Sequence, residues 1–260
     1  MNWAQVVLAG PDHAAATRSV GTFPVCDQAD HQQNGLPQMS AILFGSISTV
    51  ADTSELQRRA FNQAFEAHGL DWHWDRETYR TMLSRSGGQD RVADYAHSLG
   101  HSVDARAVHE TKSRIFQDAL ATSELAPREG VVDTIRDARK SGWKVGLVTT
   151  TSRENVSALL AALSPQVRRQ DFDVVVDSSS VGQPKPDRAA YSFALEMLDE
   201  SPTQCVAIED NVDGVQSAVA AGLVCVAFLN ENTAGHDVAA ADRSVDRLDV
   251  RELQLVAGLN

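Results

Sequence analysis

The chain holds 260 residues with 43% hydrophobic and 22% charged content, enough for one large or two modest domains around a proper core. Its net charge of -12 and pI near 5.0 exclude broad binding to nucleic-acid phosphates and docking on an anionic membrane, while leaving room for a local basic pocket. Three cysteines, Cys26, Cys205 and Cys225, are odd in number and lack zinc spacing, which points to a reducing cytoplasm rather than a disulfide framework.

Residues 1–40 are rich in Gln, Asp, His, Ala and Gly, with Pro11, Pro24 and Pro37 and no period. They read as an N-terminal extension without chemistry. Val6-Val7-Leu8-Ala9 lacks the basic flank of a signal peptide. No run approaches the ~18 apolar residues of a membrane span. Ala41 to Phe44 is apolar throughout, as in a strand buried on both faces of a parallel sheet. The small polar loop that follows, Gly45 to Asp52, lies where open α/β sheets hold their ligands.

From Ser54, the residues Leu56, Ala60, Phe61, Ala64 and Phe65 recur at helical spacing, and Gly69 stops the helix. Asp75 opens another helix, Gly87-Gly88 breaks the chain, and Asp90–Leu99 and Asp104–Leu120 give two more. Helices without strands between them predict a separate unit over 54–125, placed as a lid over the sheet's ligand edge. Helix and strand then alternate. Helices are expected over Glu129–Ser141, from a Ser152 cap to Leu163, Asp187–Leu198 and Val212–Ala221. Strands are expected over Val145–Val148, Asp173–Val176, Cys205–Ile208 and Leu223–Phe228. A short helix after 235, a strand near Val245 and a last helix from Arg251 complete a parallel sheet with helices on both faces.

Several strand ends carry polar clusters: Gly45-Ser46-Ile47, Thr149-Thr150-Thr151 and Glu209-Asp210. The segment Gln183-Pro184-Lys185-Pro186-Asp187 precedes a helix at the same edge. Four such segments in order, with a helical insertion after the first, resemble the signatures of the haloacid dehalogenase (HAD) superfamily. Trp72-His73-Trp74-Asp75, Tyr79 and Gly87-Gly88-Gln89-Asp90-Arg91 further resemble its CbbY branch of sugar-phosphate phosphatases, close to the β-phosphoglucomutases. The resemblance covers roughly 41–250. It implies a Rossmann-type α/β core over 41–53 and 126–260 with a small inserted α-helical cap over 54–125.

The resemblance also assigns roles. The nucleophilic Asp of the family falls on Gly45, its general acid on Ile47 and its catalytic Lys on Gln183, so the chemistry of all three is expected to be missing. A cap-helix His falls on Gln57, and a cap-loop Lys on Gln89. Phosphate binding is expected from Thr149, Thr150 and Arg91, with Arg58 or Arg59. Magnesium is implied by resemblance, held weakly or not at all by Asp210 and Glu209, whose alternative role is helix capping. His109 and Lys112 read as a solvated cap face, with a place on the substrate side as the alternative for Lys112, Lys185 as pointing away between its prolines, and Trp72 and Trp74 as cap packing. The expected function is that of a catalytically impaired relative binding a phosphorylated small molecule or a protein partner, in the cytoplasm or a plastid stroma. The alternative is an active magnesium-dependent phosphatase or mutase with a displaced nucleophile, for which Ser46, Ser48 and Asp52 are the nearby candidates.

Overall fold

The computed structural model describes residues 39–258, so the expected N-terminal extension up to residue 38 lies outside the described residues. β1 (Ala41–Phe44) is buried along its whole length. It pairs in parallel with β2 (Lys144–Val148) on one side and β4 (Cys205–Glu209) on the other. β3 (Val174–Val176), β5 (Val224–Ala227) and β6 (Arg243–Ser244) extend this to a sheet of order β3-β2-β1-β4-β5-β6, parallel throughout. The chain leaves β1 for β2 on one flank and returns to β4 on the other. The carboxyl end of β1 is therefore the topological switch point, where such sheets open a crevice.

Two apolar layers sandwich the sheet. Ile42, Phe44, Val145, Leu147, Val206 and Ile208 face one way, onto α6 (Val131–Lys140), α7 (Arg153–Leu163) and α10 (Val250–Ala257). Ala41, Leu43, Val148 and Ala207 face the other, onto α8 (Ala189–Leu198) and α9 (Val212–Ala220). Continuous apolar strands satisfy both layers, which is why β1 shows no alternation. Ser152 caps α7 by accepting from Asn155 N–H, as its position predicts.

After β1 the expected polar loop tightens into one helical turn, α1 (Ile47–Val50), capped by Ser46 and buried throughout. Between α1 and α6 lie only helices: α2 (Ser54–Ala67), α3 (Arg76–Met82), α4 (Gly88–Ser98) and α5 (Ala105–Thr122). Asp75 caps α3 through Thr78 N–H. This helical unit has its own aromatic core. Trp74 packs on Phe61 at 4.9 Å and Phe65 at 4.6 Å, and Trp72 on Tyr95 at 5.2 Å, so both tryptophans serve packing. Gly87, at φ 92, turns the chain into α4.

Some expected boundaries move. α6 begins at Val131, behind a left-handed Gly130, and α8 at Ala189. The helix expected after 235 does not form: a bend at His236 and a turn at 239–240 stand there instead, after a series of turns over 231–235 in which Asn230 and Thr233 bond to each other. Among the described residues no helix is long and apolar enough to cross a membrane.

Candidate functional site

Three adjacent strand ends, those of β2, β1 and β4, meet at one amine. Lys185 Nζ donates to the carbonyls of Gly45 and of Val148, the latter at 2.8 Å, and lies 2.5 Å from Glu209 Oε1. Lys185 is 5% exposed, whereas Gln183 is exposed. The assignment of the lysine position to Gln183 is thereby corrected. The amine is present two residues later, and between its two prolines it points inward instead of away.

Gly45 does leave its position without a side chain, and the space has been taken. A Cβ at 45 would overlap the carboxyl of Glu209 and the hydroxyl of Tyr191. Glu209 is fully buried. Its Oε1 accepts from Lys185 and, at 2.7 Å, from Tyr191 Oη, while Oε2 has no partner. Burial outweighs the neighbouring amine and pushes the Glu209 carboxyl up; burial beside that carboxylate also raises the Tyr191 phenol well above its usual value.

Asp210 faces the other way, into a cavity of about 280 Å³ between the sheet's edge and the helical unit. Its Oδ1 accepts from Ser46 Oγ at 2.8 Å and Asn211 Nδ2 at 2.9 Å, and its Oδ2 from Asn230 Nδ2 at 3.2 Å. Helix capping, the alternative role for the acidic pair, falls instead to Asn211, which caps α9 through Gly214 N–H. Asp213 accepts from Ser86 N at 2.6 Å, which ties the loop before α4 to the start of α9.

These groups do not fit a resident magnesium ion. A hard dication wants several oxygens with at least one or two carboxylates converging. Residue 45 offers no side chain, Glu209 is turned onto Lys185, and Asp210 is held by uncharged donors. Among the described residues no three His, Cys, Asp or Glu gather at metal-binding separations.

Thr149 and Thr150 line the cavity, as do Ser46, Ile47, Gln57, Arg91, His109 and Lys112. Arg58 does not join them. It donates to Glu55 and to the Trp74 carbonyl at 2.8 Å, and Arg59 is exposed. Gln89 is likewise exposed. Asp52 accepts from Ser54 N–H at the start of α2 and does not line the cavity.

The reading of His109 and Lys112 as a solvated face is overturned, and Lys112 takes its alternative place on the cavity wall. Lys112 is 3% exposed, donates to Gln57 Oε1 at 2.9 Å, and sits 4.8 Å above the Phe61 ring. Burial, with Arg91 nearby, drives its pKa down to about 7; burial with Lys112 beside it drives His109 to about 4. The packing of α5 against α2 causes this, and the i, i+3 spacing alone does not reveal which way that face turns.

A stability consequence follows. The unfolded chain keeps the Lys112 proton up to its ordinary range near 10.5, and the folded chain releases it above about 7. Between these values the unfolded state binds more protons, so this group makes stability rise with pH. Below about 7 its penalty is constant. Lys112→Met is expected to gain on the order of 2 kcal/mol at neutral pH. Urea unfolding of both proteins from pH 7 to 10 should show their difference shrinking toward the alkaline end. A variant less stable than the parent at pH 7 would contradict the assignment.

Comparison with known proteins agrees with this geometry. A family model described as haloacid dehalogenase-like hydrolase matches residues 39–222. Protein CbbY of Cereibacter sphaeroides is 39% identical over 85% of this chain and 97% of its own length, and that of Rhodobacter capsulatus is 36% identical over 85% and 99%. The crystal structure of CbbY from Rhodobacter sphaeroides in complex with phosphate superposes with a TM-score of 0.73 at 37% identity, covering 81% of this chain and 95% of that one. A mutant of the same protein was solved with xylulose-(1,5)bisphosphate. The switch-point crevice, its buried lysine and the helical insertion after β1 thus coincide with extended sequence identity, and the chain belongs to the haloacid dehalogenase-like hydrolases, in their CbbY-like branch.

Proposed function

We propose that this chain is a non-hydrolysing member of its branch, which binds a phosphorylated sugar between a cap over 54–125 and the core over 41–53 and 126–260. The observation that carries this is the fate of position 45. Phosphoryl transfer through an enzyme ester needs an oxygen there, and the place is filled by a carboxylate locked onto Lys185 and Tyr191. Ile47, at the general-acid position, carries no proton to donate. The cavity itself persists, lined by hydroxyls and cations suited to a phosphorylated polyol. Cys205 and Cys225 are free and buried, in keeping with a reducing compartment such as cytoplasm or plastid stroma.

One observation favours a second reading. Ser46 Oγ donates to Asp210 at the cavity wall, so a hydroxyl and a base do adjoin. A carboxylate is a weak base for a serine, however, and the basic side chains lining the cavity come from the helical unit rather than from the strand ends that carry the pair.

The test is phosphate release from sugar mono- and bisphosphates, with and without magnesium, alongside thermal shift. No release above buffer together with a ligand-dependent rise in Tm is expected. Release that Ser46→Ala abolishes would install the second reading in place of the first.

A further inference from the structure

A second cavity, a groove of about 560 Å³, lies at the outer edge of the sheet and shares no lining residue with the crevice. Its origin is topological. β3 is the outer strand, with β2 as its neighbour on one side and no strand on the other. α7 flanks that edge. Val156 and Leu160 of α7 and Val175 of β3 belong to one apolar layer of the sheet, and the layer ends there with its margin open. These three side chains and Ala161 make the floor of the groove. The lining positions on α7, from 153 through 156, 160 and 161 to its C-cap at 164, recur at helical spacing, so one face of the helix forms one wall.

The two ends of the groove differ. At the start of α7, Arg153 is paired. Its Nε donates to Asp177 Oδ2 at 3.3 Å and its Nη2 to Ser179 Oγ at 3.0 Å. Asp177 also accepts from Ser179 N–H at 2.8 Å, so this end is a satisfied network. At the other end, beyond Ser164, the chain passes through Arg168 into the 3-10 turn Arg169–Asp171. Arg168 Nη2 stands 3.6 Å from Asp171, a carboxylate that already accepts the Arg168 N–H at 2.7 Å. Arg169 donates Nη1 to the Phe172 carbonyl at 2.7 Å and leaves Nε and Nη2 without an acceptor among the described residues. The whole chain carries a net charge of -12. Three arginines against the single carboxylate of Asp177 in the lining make this groove locally positive.

We propose that this groove binds a small amphipathic anion, a carboxylate on an apolar chain, with its head on Arg168 and Arg169 and its chain along Val156, Leu160, Ala161 and Val175. The floor from Val156 to Ala161 follows about 8 Å of helix, which an acyl chain of medium length covers. A cavity of this size, mostly apolar with a few placed polar groups, has the build of a small-molecule site. Guanidinium groups suit the head because each offers a planar fork to a carboxylate. A bare phosphate would meet the arginines and leave the floor uncovered. The crevice takes no part, so the proposal stands or falls independently of the function proposed above.

Calorimetric titration of the full chain with butanoate, hexanoate and octanoate tests the proposal, with acetate and 1-octanol as controls for head and chain alone. Octanoate should bind with a Kd of about 1 mM or tighter. Each pair of added methylenes should tighten binding by about fourfold or more. Acetate and 1-octanol should each bind at least about tenfold more weakly than octanoate. Arg168→Ala together with Arg169→Ala should bring octanoate down to the level of 1-octanol and leave 1-octanol unchanged. Ala161→Glu sets a carboxylate against the chain and should abolish octanoate binding, as should Ser157→Glu on the same face. Both positions are exposed, and a Tm close to the parent's checks that the fold is kept. No binding at about 10 mM octanoate, or equal octanoate affinity in the parent and both glutamate variants, overturns the proposal. Acetate binding as tightly as octanoate overturns it too, since the floor then has no role. So does a concentration-dependent dimer in sedimentation that Ala161→Glu abolishes, which would give the groove to a second copy of the chain.

Discussion

Replacing Lys185 by Met should cost the fold about 3–5 kcal/mol, as removing one partner of a buried ion pair does. The pair is sealed at 3% and 0% side-chain exposure for Lys185 and Glu209. Without the amine, Glu209 keeps one hydrogen bond, from Tyr191, and must hold a charge in a dry interior or take up a proton. The carbonyls of Gly45 and Val148 lose their side-chain donor as well. The stem of Met fills the space of the Lys stem, so cavity formation adds little. Lys185→Met combined with Glu209→Gln removes the uncompensated charge while keeping an acceptor for Tyr191, and should recover more than half of the loss. Urea unfolding of the two single variants and the double closes the cycle. A loss under about 1 kcal/mol for Lys185→Met would mean that the strand ends hold themselves together without the amine.

That residue also shows where the sequence stops being legible. The strands were readable because a sheet covered on both faces needs unbroken apolar runs, and Ala41–Phe44 and Cys205–Ile208 are such runs. The caps at Asp75 and Ser152 were readable because an N-cap is a local contract between one side chain and a nearby N–H. The segment Gln183-Pro184-Lys185-Pro186-Asp187 offers a residue before a proline twice, so pattern alone leaves two frames open. Side-chain direction decides between them, and it points to Lys185. One signal was available: Lys185 is the sole amine in the segment, and Tyr191 follows at a spacing that lets both reach Glu209. The filling of the space at Gly45 was not readable at all. It depends on a side chain from β4 turning into a void left by β1, across 164 residues of sequence that a linear reading cannot fold. The same holds for Lys112, whose burial is set by the contact of α5 with α2.

The double change Gly45→Asp, Ile47→Asp should convert the chain into a magnesium-dependent phosphatase, raising phosphate release by at least about 10³-fold over the parent. Because Lys185 is already in place, two substitutions suffice where Gln183 in the lysine position would have demanded a third. The steric argument sets the order of events. A Cβ at 45 cannot coexist with the present Glu209 carboxyl, so the introduced carboxylate displaces Glu209 toward Asp210 at the cavity wall. Two or three carboxylates then converge where one stood, which is the oxygen set a hard dication requires. Gly45→Asp alone should therefore gain Mn²⁺ binding, readable by electron paramagnetic resonance, without turnover, since Ile47 still supplies no proton. Some stability is lost, because the Lys185–Glu209 contact at 2.5 Å must rearrange. The second substitution opens a polar group in a site 5% exposed, at a further cost of about 1–3 kcal/mol if it finds no partner. A folded double variant that binds Mn²⁺ yet releases no phosphate would place the obstacle on the helical side, at Gln57 and Lys112. One that binds no Mn²⁺ would show that Glu209 does not yield to a side chain at 45, and the steric account of this site would fall.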